Sequence, residues 1–443
     1  MKTDGMKKGG RFQSVLRNLG WLLASNALMA VLSLVYIGMV TRALGLADFG
    51  RFALITGTAQ TLATLVSFET WKVVVQYGLE HEGAGRREAV WRLEQAAAFV
   101  ELMSAGVGIG LVAALFLLWP RPFGMDPALV PYAFGYVVVQ LITLRSTPTG
   151  ILRMRDRFRL AALADSVQPV GRLIGACLAQ ALMPTLAGFL SAWALAEVLT
   201  LLATWALAAQ TGDVGPMLAA RGSLREVRAE NPGMLRILAS TNGQSTLGLA
   251  ARQAPLLLVG GFAGPAAAGA FRLAAQLANA LSKLSILVTR AAFPEIVRTI
   301  RSASRARFRM GVLRVGLASI AAAGVVIGVV ALFGHRLLML VGGHAFGAGY
   351  IYLLWLAGAG AIELAAASFE PILLSVHRAL SATVARGVAV ALQLGLMLVL
   401  LPRIGALGAS ISVFVGAVAA SLTLGAVLWH YAMRHGLDAQ APV

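Results

Sequence analysis

Long apolar runs, broken only by short polar stretches, recur from residue 18 to residue 430. Each is about 20 residues or more, the length a helix needs to cross a bilayer. The pattern predicts twelve transmembrane helices, at 18–41, 50–77, 92–119, 131–152, 160–183, 187–209, 236–260, 270–293, 311–334, 350–376, 379–401 and 406–430. Gly and Pro inside these runs do not oppose the reading, since both are commoner in membrane helices than in soluble ones. The first run, Leu19–Val40, is too long for a signal-peptide core and lacks a convincing cleavage site, so it counts as helix 1.

Composition agrees with this pattern. The 443 residues are 58% hydrophobic and 13% charged, whereas a soluble domain carries about a quarter charged residues. The formal net charge of +18 raises the question of a nucleic-acid partner. The basic residues lie instead in short loops between apolar runs, and no nucleic-acid partner is expected. With the N-terminus inside, 24 of the 37 Lys and Arg fall in cytoplasmic segments and six in outside loops, counting Arg272 among the six. This bias predicts that both termini are cytoplasmic. Those basic loops are expected to fix topology and touch membrane lipids. Arg exceeds Lys 32 to 5, which fits a GC-rich bacterial genome.

The longest cytoplasmic loop, 210–235, contains Gly212, Gly215, Pro216 and Pro232 and divides the runs six and six. The chain therefore reads as an all-α integral membrane protein with a six-helix lobe at 1–209, a linker at 210–235 and a second lobe at 236–443. An internal repeat supports the division. Gly45, Ala47, Gly50, Phe52 and Leu54 recur 219 residues later as Gly264, Ala266, Gly269, Phe271 and Leu273, and Arg159 recurs as Arg378. Because six is even, the halves share one orientation, related by an axis along the membrane normal, as in parallel-repeat transporters.

Ionisable residues inside the spans point to function unless they are paired. Arg172 and Glu197 lie at matching depth on helices 5 and 6, so a structural pair competes with a role facing the lumen. Glu370 with Arg386, and Asp165 with Arg145, are also expected to pair. Lys72 has Glu69 one turn away and Glu101 at similar depth on helix 3. Arg252 and Lys283, on helices 7 and 8, have no flanking acid, and Arg290 shares a helical face with Lys283. Glu363 is the deep acid left to pair with either. Arg252, Lys283, Arg290, Arg172 and Lys72 are therefore the candidate substrate-binding residues, with Glu363 and Glu197 as coupling or pairing acids. A cation-lined cavity suits a diphosphate, because Arg forks onto phosphate oxygens and Lys acts as a point charge. No His or Cys spacing fits a metal, no Gly-rich loop leads into Gly-Lys-Ser/Thr, and no catalytic constellation stands out, so no cofactor is expected. Cys177, the single cysteine, reads as a small core residue and excludes a disulfide.

Three segments resemble a known family. Leu44-Gly45 with Asp48-Phe49-Gly50 is similar to the "LG…(D/E)(F/Y)G" signature of Wzx-like polysaccharide transporters. These belong to the multidrug/oligosaccharidyl-lipid/polysaccharide exporter superfamily. Val341-Gly342-Gly343-His344-Ala345-Phe346 resembles that family's Gly-x-x-(F/Y) segment, without the acid often found there. Pro402-Arg403-Ile404-Gly405-Ala406-Leu407-Gly408-Ala409 resembles its "P-x-x-G-x-x-G-A" ending. The resemblance implies a V-shaped, two-lobed flippase of a bacterial inner membrane. It would move undecaprenyl-diphosphate-linked oligosaccharide, for O-antigen, capsule or exopolysaccharide, by alternating access. Glycosyltransferases and a glycan polymerase would be its partners. Two alternatives stay open. A cation-coupled multidrug exporter of the same superfamily is expected to carry acids on helix 1 or 7, where this chain has none and Arg252 respectively. A glycan polymerase or ligase is expected to carry a large outside loop with Arg and His.

Overall fold

Apolar runs become helices in lipid because a helix satisfies its own backbone hydrogen bonds where no water is available. The computed structural model describes residues 5–118, 127–301, 305–366, 369, 373 and 379–435. Within these, side chains are described for 29, 31–118, 127–282, 321, 323–366, 369, 373 and 381–430. Helices α1 (Gly5–Val66), α2 (Thr70–Gly83), α3 (Arg87–Leu118), α4 (Val130–Ile142), α5 (Ser146–Met154), α6 (Phe158–Leu182) and α7 (Leu186–Ala209) build the first lobe. Two short helices follow, α8 (Val214–Ala219) and α9 (Leu224–Glu230). The second lobe comprises α10 (Met234–Arg301), α11 (Arg305–Gly342), α12 (Tyr350–Ala365), α13 (Ala379–Ile404) and α14 (Ala406–His435).

Nine stretches among the described residues are long and apolar enough to cross a membrane. Two of these, Val31–Gly83 and Met234–Ser282, hold two passes each, because α1 turns at Gly45 and α10 at Gly264. With α6, whose Asp165 and Arg172 lower its hydropathy, the expected twelve passes are present in two six-helix lobes. Leu102, Leu178, Leu202, Leu332, Leu398 and Trp429 are exposed on the outer surface. A lipid solvent makes such exposure costless. Cys177 is exposed as well, not in the core, because it lies on the outward face of α6.

The 210–233 segment is bound to the first lobe. Tyr77 donates to the Pro232 carbonyl at 2.6 Å, and His81 Nε2 lies 2.9 Å from Asn231 Oδ1. Arg92 holds Glu230 at 2.6 Å, and Arg155 holds Asp213 through two hydrogen bonds at 2.6 and 2.7 Å. Those bonds to Asp213 raise the Arg155 pKa above its ordinary value, against the opposing pull of burial. This segment marks one face of the molecule, the linker face. The opposite face, where Gly45 and Gly264 turn the chain back, is the hairpin face.

Candidate functional site

The two hairpins meet across the lobe boundary in a reciprocal contact. Gly45 has φ 72° and ψ −175°, and Gly264 has φ 81° and ψ 173°. Glycine alone adopts this backbone region readily, so the same residue type recurs 219 positions apart for the same turn. One turn later, each hairpin rests on the other. A Cβ added at Gly50 would lie 1.8 Å from the Pro265 carbonyl oxygen, and one at Gly269 would lie 2.4 Å from that of Leu46. Leu46 and Pro265 are themselves 219 residues apart, so the contact follows the twofold repeat.

Aromatic side chains close this face beneath the glycines. Phe49 of the first lobe meets Phe346 of the second, edge to face at 5.8 Å. Phe52 and Tyr36 both pack edge-on against Trp193, at 5.3 and 5.4 Å. Phe49, Phe346, Leu54 and Leu273 are all fully buried. The hairpin face is sealed by packed side chains from both lobes.

Below the seal lies a charge cluster. Glu197 is wholly buried and accepts from Arg145 Nη2 at 3.0 Å and from Arg172 Nη2 at 2.7 Å. Gln168 also donates to it. Arg172 sits over the Trp193 ring at 5.7 Å, and its Nε is buried without a hydrogen-bond partner. From the second lobe, Arg272 comes within electrostatic reach of Arg172, Tyr36 and Tyr136. Two guanidinium groups thus bind one carboxylate, and a third, that of Arg272, lies near Arg172. Counting rise along α6, α7 and α10, Arg172, Glu197 and Arg272 lie about 12–17 Å below the hairpin face. Unbalanced charge at that depth is costly unless a counter-charge joins it.

The first lobe is also interrupted at two places. The second pass breaks at 67–69, between α1 and α2, and the fourth breaks at 143–145, between α4 and α5. The buried carboxylate of Glu101 lies at the N-termini of both following half-helices. It accepts from the Thr70 and Thr147 hydroxyls, and from the Thr147 amide at 2.7 Å. Carboxylates are favoured there by the exposed N–H groups and the helix dipole. The carbonyls freed by the breaks find side-chain donors. Asn242 of α10 donates to Ser67 O at 2.6 Å, and Trp205 donates to Leu144 O at 3.2 Å. Ser245 of α10 donates to Glu69 at 2.9 Å, which ties the first break to the second lobe.

The residues singled out from the sequence divide as follows. Arg172 and Glu197 are joined, inside a larger cluster than the pair expected. Arg145 binds Glu197 and not Asp165, because the break at 143–145 turns it toward α7, while Asp165 stays exposed. Lys72 is salt-bridged to Glu69, whereas Glu101 is taken by the threonines. Arg252 and Glu363 are both exposed, and neither makes an ion pair among the described residues. The side chains of Lys283 and Arg290 lie outside the described residues, as does Glu370. Arg386 is half-buried and engaged in its own contacts. Arg272, counted as a loop residue from sequence, lies inside α10. A signal for it exists: it replaces Ala53 of the first repeat, a buried position, at a point where its neighbours match.

Comparison with known families matches residues 15–300 to the family described as "Polysaccharide biosynthesis protein". The inner membrane protein YghQ of Escherichia coli K12 is 28% identical over 301 residues, spanning 65% of this chain and 82% of YghQ. Among solved structures, the lipid II flippase MurJ in an inward closed conformation matches with a TM-score of 0.70. Identity there is 10%, over 92% of this chain and 87% of that one. A multidrug resistance MATE family transporter of the MOP superfamily, inward-facing, matches with a TM-score of 0.66 at 15% identity, over 93% and 100% of the two chains.

Proposed function

We propose that this chain, which belongs to the polysaccharide biosynthesis protein family, is a flippase for a polyprenyl-diphosphate-linked saccharide in a bacterial inner membrane. It takes the substrate from the cytoplasmic leaflet and releases it from the outer leaflet by alternating access. The hairpin face is periplasmic in this reading, and the linker face and both termini are cytoplasmic, as the loop charges predict. The observation that carries the proposal is the surplus of Arg145, Arg172 and Arg272 over Glu197 beneath a sealed face. A sugar-linked diphosphate brings a comparable negative charge. Its oxygens match the planar donor edge of arginine, including the unpartnered Nε of Arg172. The kinship with the inner membrane protein YghQ and the fold likeness to a lipid II flippase support the same reading.

The fold likeness to a MATE transporter raises the rival of a multidrug exporter. The sign of the buried charge opposes it for cationic drugs, since a cation entering this cluster would meet net positive charge. Complementation separates the two. Cells lacking the chain should accumulate lipid-linked saccharide on the cytoplasmic side and lose exported glycan. The wild type should restore export, while Arg172→Ala and Arg272→Ala should restore little at normal abundance, because Glu197 keeps Arg145 and Gln168. Unchanged glycan in the deleted strain, with raised sensitivity to cationic drugs, would overturn the flippase reading.

A further inference from the structure

One cation of α5 is held against an aromatic ring of α2. Arg153, in the last turn of α5, stacks its guanidinium on the Trp71 ring, with Cζ 4.2 Å from the ring centroid. The same ring has Lys72 Nζ at 5.7 Å. Lys72 is tied to Glu69, which in turn accepts from Ser245 of the second lobe. Arg153 makes no hydrogen bond or ion pair through its side chain among the described residues. Asp165 of α6, which is exposed, lies within electrostatic reach of Arg153 and Arg145.

Stacking uses the flat face of a guanidinium and leaves its edge, where the N–H donors point, open to a ligand. A cation fixed in this way has already lost its rotamer freedom, so an arriving phosphate does not have to order it. Trp71 is itself held in place, since its backbone N–H donates to Ser146 Oγ at 2.9 Å. The position along the membrane also matters. Arg153 lies near the end of the Pro127–Met154 span, toward the linker face, and the Trp71 on which it stacks packs beside Gly150. Arg145, the residue that precedes α5, stands eight residues further in, about 12 Å deeper measured along the backbone. Arg145 shares Glu197 with Arg172, and Arg172 neighbours Arg272.

We propose that Arg153 on Trp71, flanked by Lys72, is a capture site that first holds the diphosphate of the substrate at the cytoplasmic leaflet. From there the headgroup passes to Arg145 and on to the deeper cluster. The proposal rests on the flippase reading and adds an entry station to it. Asp165 competes with the ligand for Arg153, which keeps the hold weak enough for onward movement.

Binding of farnesyl diphosphate to the full-length protein in phosphatidylcholine nanodiscs tests this. Arg153→Ala should weaken binding about tenfold or more, the size of one charge-assisted contact. Arg153→Lys should fall between the two, since it keeps charge and loses the planar fork. Trp71→Phe, which retains an aromatic face if Trp71→Leu fails to fold, should weaken binding less than Arg153→Ala. Asp165→Asn should strengthen it, a change that a purely structural role for Arg153 does not produce. Inorganic pyrophosphate should compete, and phosphatidylglycerol in the discs should not abolish binding. Loss of binding in phosphatidylglycerol discs would make Arg153 a general headgroup contact and overturn the proposal. If the Arg153 and Trp71 variants bind as wild type does while Arg172→Ala still abolishes export, the capture site falls and the flippase reading stands. Absence of saturable binding by the wild type would sink both.

Discussion

Gly50→Ala places one methyl group in the seal between the lobes, and its effect can be worked from the geometry. The new Cβ would stand 1.8 Å from the Pro265 carbonyl oxygen, and that neighbour is backbone, which cannot rotate away. A comfortable carbon–oxygen approach is about 3.3 Å, so the two hairpins must separate by about 1.5 Å or distort. Overpacking of this kind costs about 1–3 kcal/mol. Opening of the hairpin face by alternating access would separate Gly50 from Pro265, so the cost falls on the sealed arrangement. The equilibrium between sealed and open hairpin faces should therefore shift about 5- to 150-fold toward open. Spin labels at Ala47 and Ala266, both exposed and 219 residues apart, in a Cys177→Ala background, report the separation. Pulsed electron paramagnetic resonance should show a longer-distance population that wild type lacks, and Gly269→Ala should do the same through Leu46. Gly45→Ala is a useful contrast. Nothing lies within 4 Å of its added Cβ, so its cost is backbone strain and not lobe repulsion. If Gly50→Ala folds, accumulates normally and gives the wild-type distance distribution, the hairpin contact is not the seal.

Glu101→Ala strands the Thr70 and Thr147 donors at two half-helix N-termini, so thermal unfolding in detergent should show a loss of about 1–3 kcal/mol, partly recovered by adding Thr147→Val; an unchanged midpoint refutes the stapling role. Cysteines replacing His344 on the hairpin face and Arg225 on the linker segment, both exposed, should react oppositely with an impermeant thiol reagent in spheroplasts, 344 labelling and 225 not. The reverse pattern would invert the orientation and with it the assignment of the entry leaflet.

The all-helical membrane fold was legible in the chain because it depends on local quantities. Run length and hydropathy set the twelve passes, since lipid imposes one condition on every segment. The repeat was legible too. Gly45 and Gly264 recur because the turn they make admits no side chain easily, a demand that acts at single positions. Depth along a helix brought Arg172 and Glu197 together, since both coordinates are read from rise per residue.

Direction around a helix and interruption within it were not legible. Hydropathy treats 50–77 and 131–152 as continuous spans, yet both are broken, because Glu101 on a third helix supplies the acceptor that makes two extra N-termini affordable. The break at 143–145 then swings Arg145 from Asp165 to Glu197. Arg252 looked like the least explained cation of helix 7, but its neighbour Gln253 takes the buried face, bonding Gln60 at 2.6 Å, and leaves Arg252 exposed. Arg272 joins the cluster because the turn at Gly264, eight residues earlier, folds α10 back beside the first lobe. The sequence alone determined how many times the chain crosses the membrane and where it repeats, because those are sums over neighbouring residues. Which charges meet was decided by tertiary structure, because two cations on different lobes share a cluster only through the contacts that close the hairpin face.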